Sequence, residues 1–253
     1  KYGNDVSEIL TKRDQFVAEL EQLAGSEEKI NKLAKEIEKK EKIVAKLAIE
    51  LADMREIGAK ALKRGVEKEL KELHMNGVRF GVDFNYPPDP QGFVQYHKEK
   101  LKPTSIGLGT LEFLFSPNPG EELRPLAKIA SGGELSRIML ALKSILNKQD
   151  TIPVMIFDEV DTGIGGRIAE KVGTKLKKVA ETKQVFCITH LPQIAGMAST
   201  HFRVEKNVQG KRTRAGIRQL EFTERVEELA RMSSGEKITE ASLQHARELI
   251  SDH

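Results

Sequence analysis

With 253 residues, 31% of them charged, 5% aromatic and none Trp, the chain has the profile of long solvated helices joined to a modest globular core. A net charge of +3 permits a polyanionic partner without requiring one. A single cysteine excludes a disulfide framework, and no run nears the roughly 18 apolar residues of a membrane span, so a soluble cytoplasmic protein with no membrane role is expected.

The first part, to about Leu73, is rich in Lys, Glu, Ala and Leu and contains no proline. A heptad is legible from Ile30. Ile30, Ile37, Val44 and Leu51 hold one seam position, and Leu33, Leu47 and Met54 the other. β-Branched residues at the first position and Leu at the second suit a coiled-coil seam, and Lys40 interrupts the second row. Gly25 followed by Ser26, Glu27 and Glu28 predicts the end of a short helix, about Val6 to Ala24, and an N-cap for a second one. Gly58 and Gly65 fall on the seam, so close packing is expected to end there. The continuously charged outer face argues against burial in a globular bundle, and the seam needs a partner that the chain does not visibly supply.

After Gly77 the pattern changes. Phe80, Val82 and Phe84 alternate as a half-buried strand, Pro87, Pro88 and Pro90 force a loop, and Leu108–Phe115 alternate again before Pro117, Pro119 and Gly120. From Ser131 the pattern is α/β: a helix about 134–147, an apolar run Ile152–Phe157, a helix about 168–182 and a run Val185–Thr189. Bare apolar strands between helices predict a parallel sheet covered on both faces. A hairpin around Gln209-Gly210 and two helices, about 221–232 and 239–250, complete the pattern. The expected division is 1–75 for a coiled-coil arm and 76–253 for an ATPase head lobe.

Four features carry chemistry. Pro153–Phe157 run into Asp158-Glu159, two carboxylates at the carboxyl end of a parallel strand, where open α/β sheets bind ligands. One carboxylate can hold Mg²⁺ and the next can activate water, although strands often end in polar residues. Ser131-Gly132-Gly133-Glu134 opens a helix, offering unpaired N–H groups to phosphate; alone it reads first as a capped glycine turn. Asp161-Thr162-Gly163 makes a tight turn able to present polar groups across an interface. His190 ends the second apolar run, and a lone His there is more often structural. Cys187, inside that run, is most simply a core residue.

Together, in this order, the four resemble the C-terminal half of an ABC-type ATPase head: signature motif, Walker B strand, D-loop and switch histidine. A coiled coil running into such a head is the arrangement of SMC-like proteins. The runs 118–121, 124–126, 130–137, 156–164 and 188–193, with Lys1–Gly3 and Arg225–Met232, resemble the RecN family, bacterial SMC-like ATPases of DNA double-strand-break repair and recombination. The resemblance implies an α/β fold, the C-terminal lobe of an ABC/SMC-type P-loop ATPase head preceded by a long helical coiled-coil arm. It implies ATP and Mg²⁺ as cofactors, with Asp158 on the metal and Glu159 as base for water. His190 would contact the γ-phosphate. Ser131, Gly132 and Gly133, with Glu134 beside them, would serve ATP on the opposite head, and Asp161 would lie across the head–head interface. Implied partners are DNA, bound as ends or single strands without sequence preference, and the protein's own N-terminal head lobe and coil arm. A homodimer through ATP-sandwiched heads is also implied, with the arm tips a further candidate contact.

No Gly-x-x-x-x-Gly-Lys-[Ser/Thr] loop occurs in this sequence, so a C-terminal fragment that is inactive alone is expected. Lys206, Lys211, Arg212, Arg214 and Arg218 could contact phosphates, or be a solvated hairpin. A non-catalytic coiled-coil scaffold or dimerisation module is the alternative function.

Overall fold

A computed structural model of the chain describes residues 5–128, 131–147, 149–209, 212–235 and 237–251. Gly210 and Lys211 at the expected hairpin turn, and the side chains of Lys206, Arg212 and Arg214, lie outside the described residues, as do Lys1–Gly3 and Ala130. Contacts group the chain into two compact units: Lys1–Gly58 with Phe84–Leu111, and Ala59–Asp83 with Glu112–His253.

One helix, α1 (Val6–Glu72), runs without interruption through Gly25 and Ser26, so the expected break and second N-cap do not form. A single glycine costs a helix about 1 kcal/mol, and the Lys, Glu, Leu and Ala around it are strong helix formers. The helix ends in a Schellman arrangement. His74 stands at φ 56°, its N–H donates to Lys71 O, and Met75 N–H donates to Leu70 O.

In the first unit most of the expected seam is bare: Ile30, Leu33, Ile37, Val44, Leu47 and Met54 are exposed, while Leu51 is half-buried. Ala48 and Ala52 present the small face on which Val94, Tyr96, Leu101 and Leu108 pack. Those residues flank a hairpin of β2 (Val94–Tyr96) and β3 (Glu99–Leu101), which lies in the segment expected to be loop. Its two-residue turn, His97-Lys98, has φ 47° and 69°. Primed turns need that conformation and usually take Asn-Gly, so His-Lys gives no sequence signal. The Tyr96 hydroxyl donates toward Asp53 (3.0 Å) and Glu56 (3.2 Å), fastening the hairpin to α1. Burial, then those carboxylates, push the phenol well above its ordinary pKa.

The second unit gathers around α2 (Gly132–Leu146). Ile138, Ala141 and Leu142 of α2 meet Val66 and Leu70 of α1, Phe80 of β1 (Arg79–Asn85) and Phe115 of β4 (Thr110–Ser116). β4 lies between β1 and β5 (Arg124–Pro125). Leu140 instead joins Leu73 and the α/β layer: β6 (Val154–Phe157), α3 (Arg167–Ala180) and β7 (Gln184–Cys187). Lys175 of α3 lies 2.7 Å from Glu72 and also bonds Glu69, pinning the end of α1 to this layer. α4 (Pro192–Gly196) and the hairpin β8 (Phe202–Gln209)–β9 (Arg212–Gln219) follow, then α5 (Phe222–Ser234) and α6 (Glu240–Ser251). Leu229 and Ala246 anchor a smaller core there.

β6 and β7 pair in parallel, Val154 opposite Gln184 and Phe157 opposite Cys187. Met155 and Phe157 point into the core, but Val154, Ile156, Phe186 and Ile188 are exposed. The expectation of a sheet covered on both faces is therefore corrected: only one face is covered by the described residues. An apolar stripe of this kind suits a sheet buried on both faces, and the helices of this unit supply one layer. Among the described residues, no helix is long and apolar enough to cross a membrane.

Candidate nucleotide-site half

The strand β6 carries the chain to Asp158 and Glu159 at its carboxyl end, both exposed. Neither has an ion-pair partner among the described residues. Ser136 Oγ of α2 donates to Asp158 O at 2.6 Å, fixing the backbone from which the first carboxylate projects. Glu159 stands at φ 56°, a left-handed conformation uncommon for a non-glycine residue and found at functional turns. Its carbonyl accepts from Thr162 N–H at 3.0 Å, closing the turn 159–162.

Ser131 caps α2, its hydroxyl accepting weakly from Glu134 N–H at 3.4 Å. The two glycines after it are there for closeness. A Cβ on Gly132 would stand 2.2 Å from Glu159 Oε2, and one on Gly133 would stand 2.9 Å from Thr162 Cβ and 3.1 Å from Glu159 O. The helix N-terminus thus lies against the acidic turn of its own chain. Ser131 and Gly132 are exposed, leaving this end of α2 open to an anion. Glu134 is half-buried at the same turn.

Arg137, one turn into α2, is the support that the sequence reading passed over. Its guanidinium is buried, and Nη1 donates to Thr162 O at 2.8 Å and Val160 O at 3.4 Å. Burial pulls its pKa below the ordinary value. The available signal is positional: an Arg three and four residues before Leu140 and Ala141 sits on the buried face of α2.

Asp161 is 3% exposed and faces inward. Its Oδ2 accepts from Thr189 Oγ1 (2.5 Å) and from His190 N–H (2.9 Å), and lies 3.0 Å from His190 Nδ1. Thr189 Oγ1 in turn accepts from Leu191 N–H. His190 is otherwise exposed, its side chain 71% accessible. All four sequence-predicted features therefore meet in one neighbourhood: Gly132 against Glu159, and Asp161 against His190. Cys187 packs against the core, and burial pushes its thiol up to about 12, disfavouring the thiolate.

Among the described residues, no group of three His, Cys, Asp or Glu side chains is arranged to hold a metal. The site fits Mg²⁺ in a narrower sense. That ion keeps several waters and takes one or two carboxylates plus the substrate's phosphate oxygens, and exposed Asp158 could supply the carboxylate.

No protein-family model matches the chain. It is 38% identical over 252 residues to the DNA repair protein RecN of Bacillus subtilis, covering 99% of this chain and 44% of that protein. It is 43% identical over 205 residues to the DNA repair protein RecN of Rickettsia prowazekii, covering 81% of this chain and 35% of that protein. The chain is thus similar in sequence to these RecN proteins. It spans less than half the length of these RecN relatives. Among solved structures, the Smc head domain with a coiled coil and joint derived from Pyrococcus yayanosii matches at TM-score 0.50 and 18% identity, over 91% of this chain and 39% of that one. That likeness concerns fold: an α/β head segment entered by a coiled-coil helix, as the RecN-like motifs imply.

Proposed function

We propose that this chain supplies the Mg²⁺-holding and hydrolytic part of the ATP site in an SMC-like DNA-repair ATPase. The observation that carries the reading is the meeting of Asp158-Glu159, the open N-terminus of α2 and the Asp161–His190 pair on one edge of the β6–β7 sheet. The curated relatives named for DNA repair supply the biological context.

Asp158 would hold Mg²⁺, which, when bound, offsets charge on the phosphates. Glu159, exposed and held by a closed turn, would accept a proton from the attacking water. His190 would face the γ-phosphate. The backbone N–H groups of Ser131–Gly133 would receive phosphate from ATP on a second head, since an open helix N-terminus favours anions. Head engagement would then be a homodimer held by nucleotide, acting on DNA without sequence preference in the bacterial cytoplasm. The chain alone would hydrolyse no ATP, because the phosphate-cradling loop does not occur in its sequence.

The test uses a polypeptide of the relatives' full length carrying this chain. Glu159→Gln is expected to accumulate an ATP-bound dimer on sedimentation, while Ser131→Arg remains monomeric with ATP. A Ser131→Arg protein that dimerises as well as wild type would remove the signature role. A wild type that holds DNA with no dependence on ATP would favour the scaffold reading.

A further inference from the structure

The geometry points to Asp161 as an intrachain positioning residue that fixes the ring of His190, so that the turn after β6 and the end of β7 work as one unit. This rests on the ATPase reading above. It departs from placing Asp161 on a head–head surface.

The carboxylate is almost fully buried, and one oxygen gathers three groups from the next strand's end: the Thr189 hydroxyl, the His190 N–H and the His190 ring nitrogen Nδ1. The backbone N–H can only donate and the Thr189 hydroxyl donates to the same oxygen, so Oδ2 is an acceptor at this centre. An acceptor 3.0 Å from Nδ1 selects the tautomer with hydrogen on Nδ1. Nε2 is then the nitrogen left for the solvent-facing side. In the neutral ring it carries a lone pair and can only accept, from water; in the imidazolium it can donate to phosphate. The backbone N–H bond fixes the main chain of His190 on Asp161, and the contact at Nδ1 sets the ring. Asp161 is itself held: Arg137 bonds the carbonyls on either side of it, Val160 and Thr162. Behind metal-bound histidines, losing such an orienting carboxylate typically costs about 10–100-fold, which sets the scale expected here.

Two measurements test this. The first needs no activity: long-range proton–nitrogen spectra of the imidazoles in this chain, at a pH where they are neutral. His190 is expected as the Nδ1–H tautomer, and Asp161→Ala is expected to move it toward Nε2–H. Asp161→Asn keeps the shape and an acceptor oxygen, and is expected to retain both fold and tautomer. A wild-type His190 in the Nε2–H form, or a tautomer untouched by Asp161→Ala, overturns the proposal. The second is a double-mutant cycle on ATP hydrolysis by the full-length polypeptide. Asp161→Ala and His190→Ala are each expected to lower kcat at least about tenfold, with KM within about twofold. The double variant is expected to be no slower than the worse single one. Independent, multiplying losses overturn the proposal, because Asp161 would then act other than through His190. Wild-type protein without hydrolysis counts against the ATPase reading, while the spectra still judge the pair.

Discussion

At the residue scale, the two glycines that open α2 differ in what they exclude. A methyl group on Gly132 meets only the end of the Glu159 side chain, which can rotate away. One on Gly133 meets Thr162 Cβ and the Glu159 carbonyl, which belong to the packed turn. Gly133→Ala is therefore expected to cost about 1–3 kcal/mol in chemical denaturation, and Gly132→Ala to stay within about 0.5 kcal/mol of wild type. Gly132→Ala displaces Glu159 and should lower hydrolysis in the full-length protein despite normal stability. His201 gives a second residue-scale expectation. Burial, then the neighbouring Arg225 charge, hold its pKa below the ordinary 6.5, and its buried Nδ1 has no hydrogen-bond partner among the described residues. The unfolded chain binds this proton more readily than the folded one. The contribution is thus fully present above pH 6.5 and is lost as pH falls below it through the folded value. Melting temperature should decline between about pH 7 and pH 5 more steeply in wild type than in His201→Asn. Equal slopes would remove His201 from the acid response.

At the element scale, α2 joins the open anion-facing end, the two cores and, through Ser136 and Arg137, the backbone of the acidic turn. Arg137→Met keeps bulk but removes the donor to two carbonyls. It should cost about 1–3 kcal/mol in denaturant midpoint analysis. A neutral result would mean that the turn holds itself. The elements themselves were largely legible, because α2, β6, α3 and β7 follow clear periods with strong flanking signals. Three features were not. The helix was expected to break at Gly25, where neighbouring propensity outweighs one glycine. The β2–β3 hairpin hides behind a His97-Lys98 turn that carries none of the usual turn chemistry. α4 has only five residues, too few to show a period. Of the candidate site, the closeness of the carboxylates to the glycines of α2 followed from their order. The inward aim of Asp161 and the clamp by Arg137 were not legible, because a sequence shows which residues are polar and not which way they face.

At the scale of the whole molecule, two groups of exposed apolar residues are ordered: the heptad row on α1 and the outer face of β6–β7. Both have the periodicity of surfaces made to be covered. Together with the span of the chain, under half of its RecN relatives, they fit the proposal that Asp158 and Glu159 work in a larger polypeptide. The most direct measurement of that central claim is steady-state ATP hydrolysis at matched purity. It compares this chain alone, the relatives' full-length form carrying it, and that form with Glu159→Gln. The account predicts no turnover by the chain alone, Mg²⁺-dependent turnover by the full-length form, and a loss of at least about 100-fold in kcat on Glu159→Gln with the fold intact. Full-length turnover that survives Glu159→Gln, or turnover by the chain alone, would contradict it.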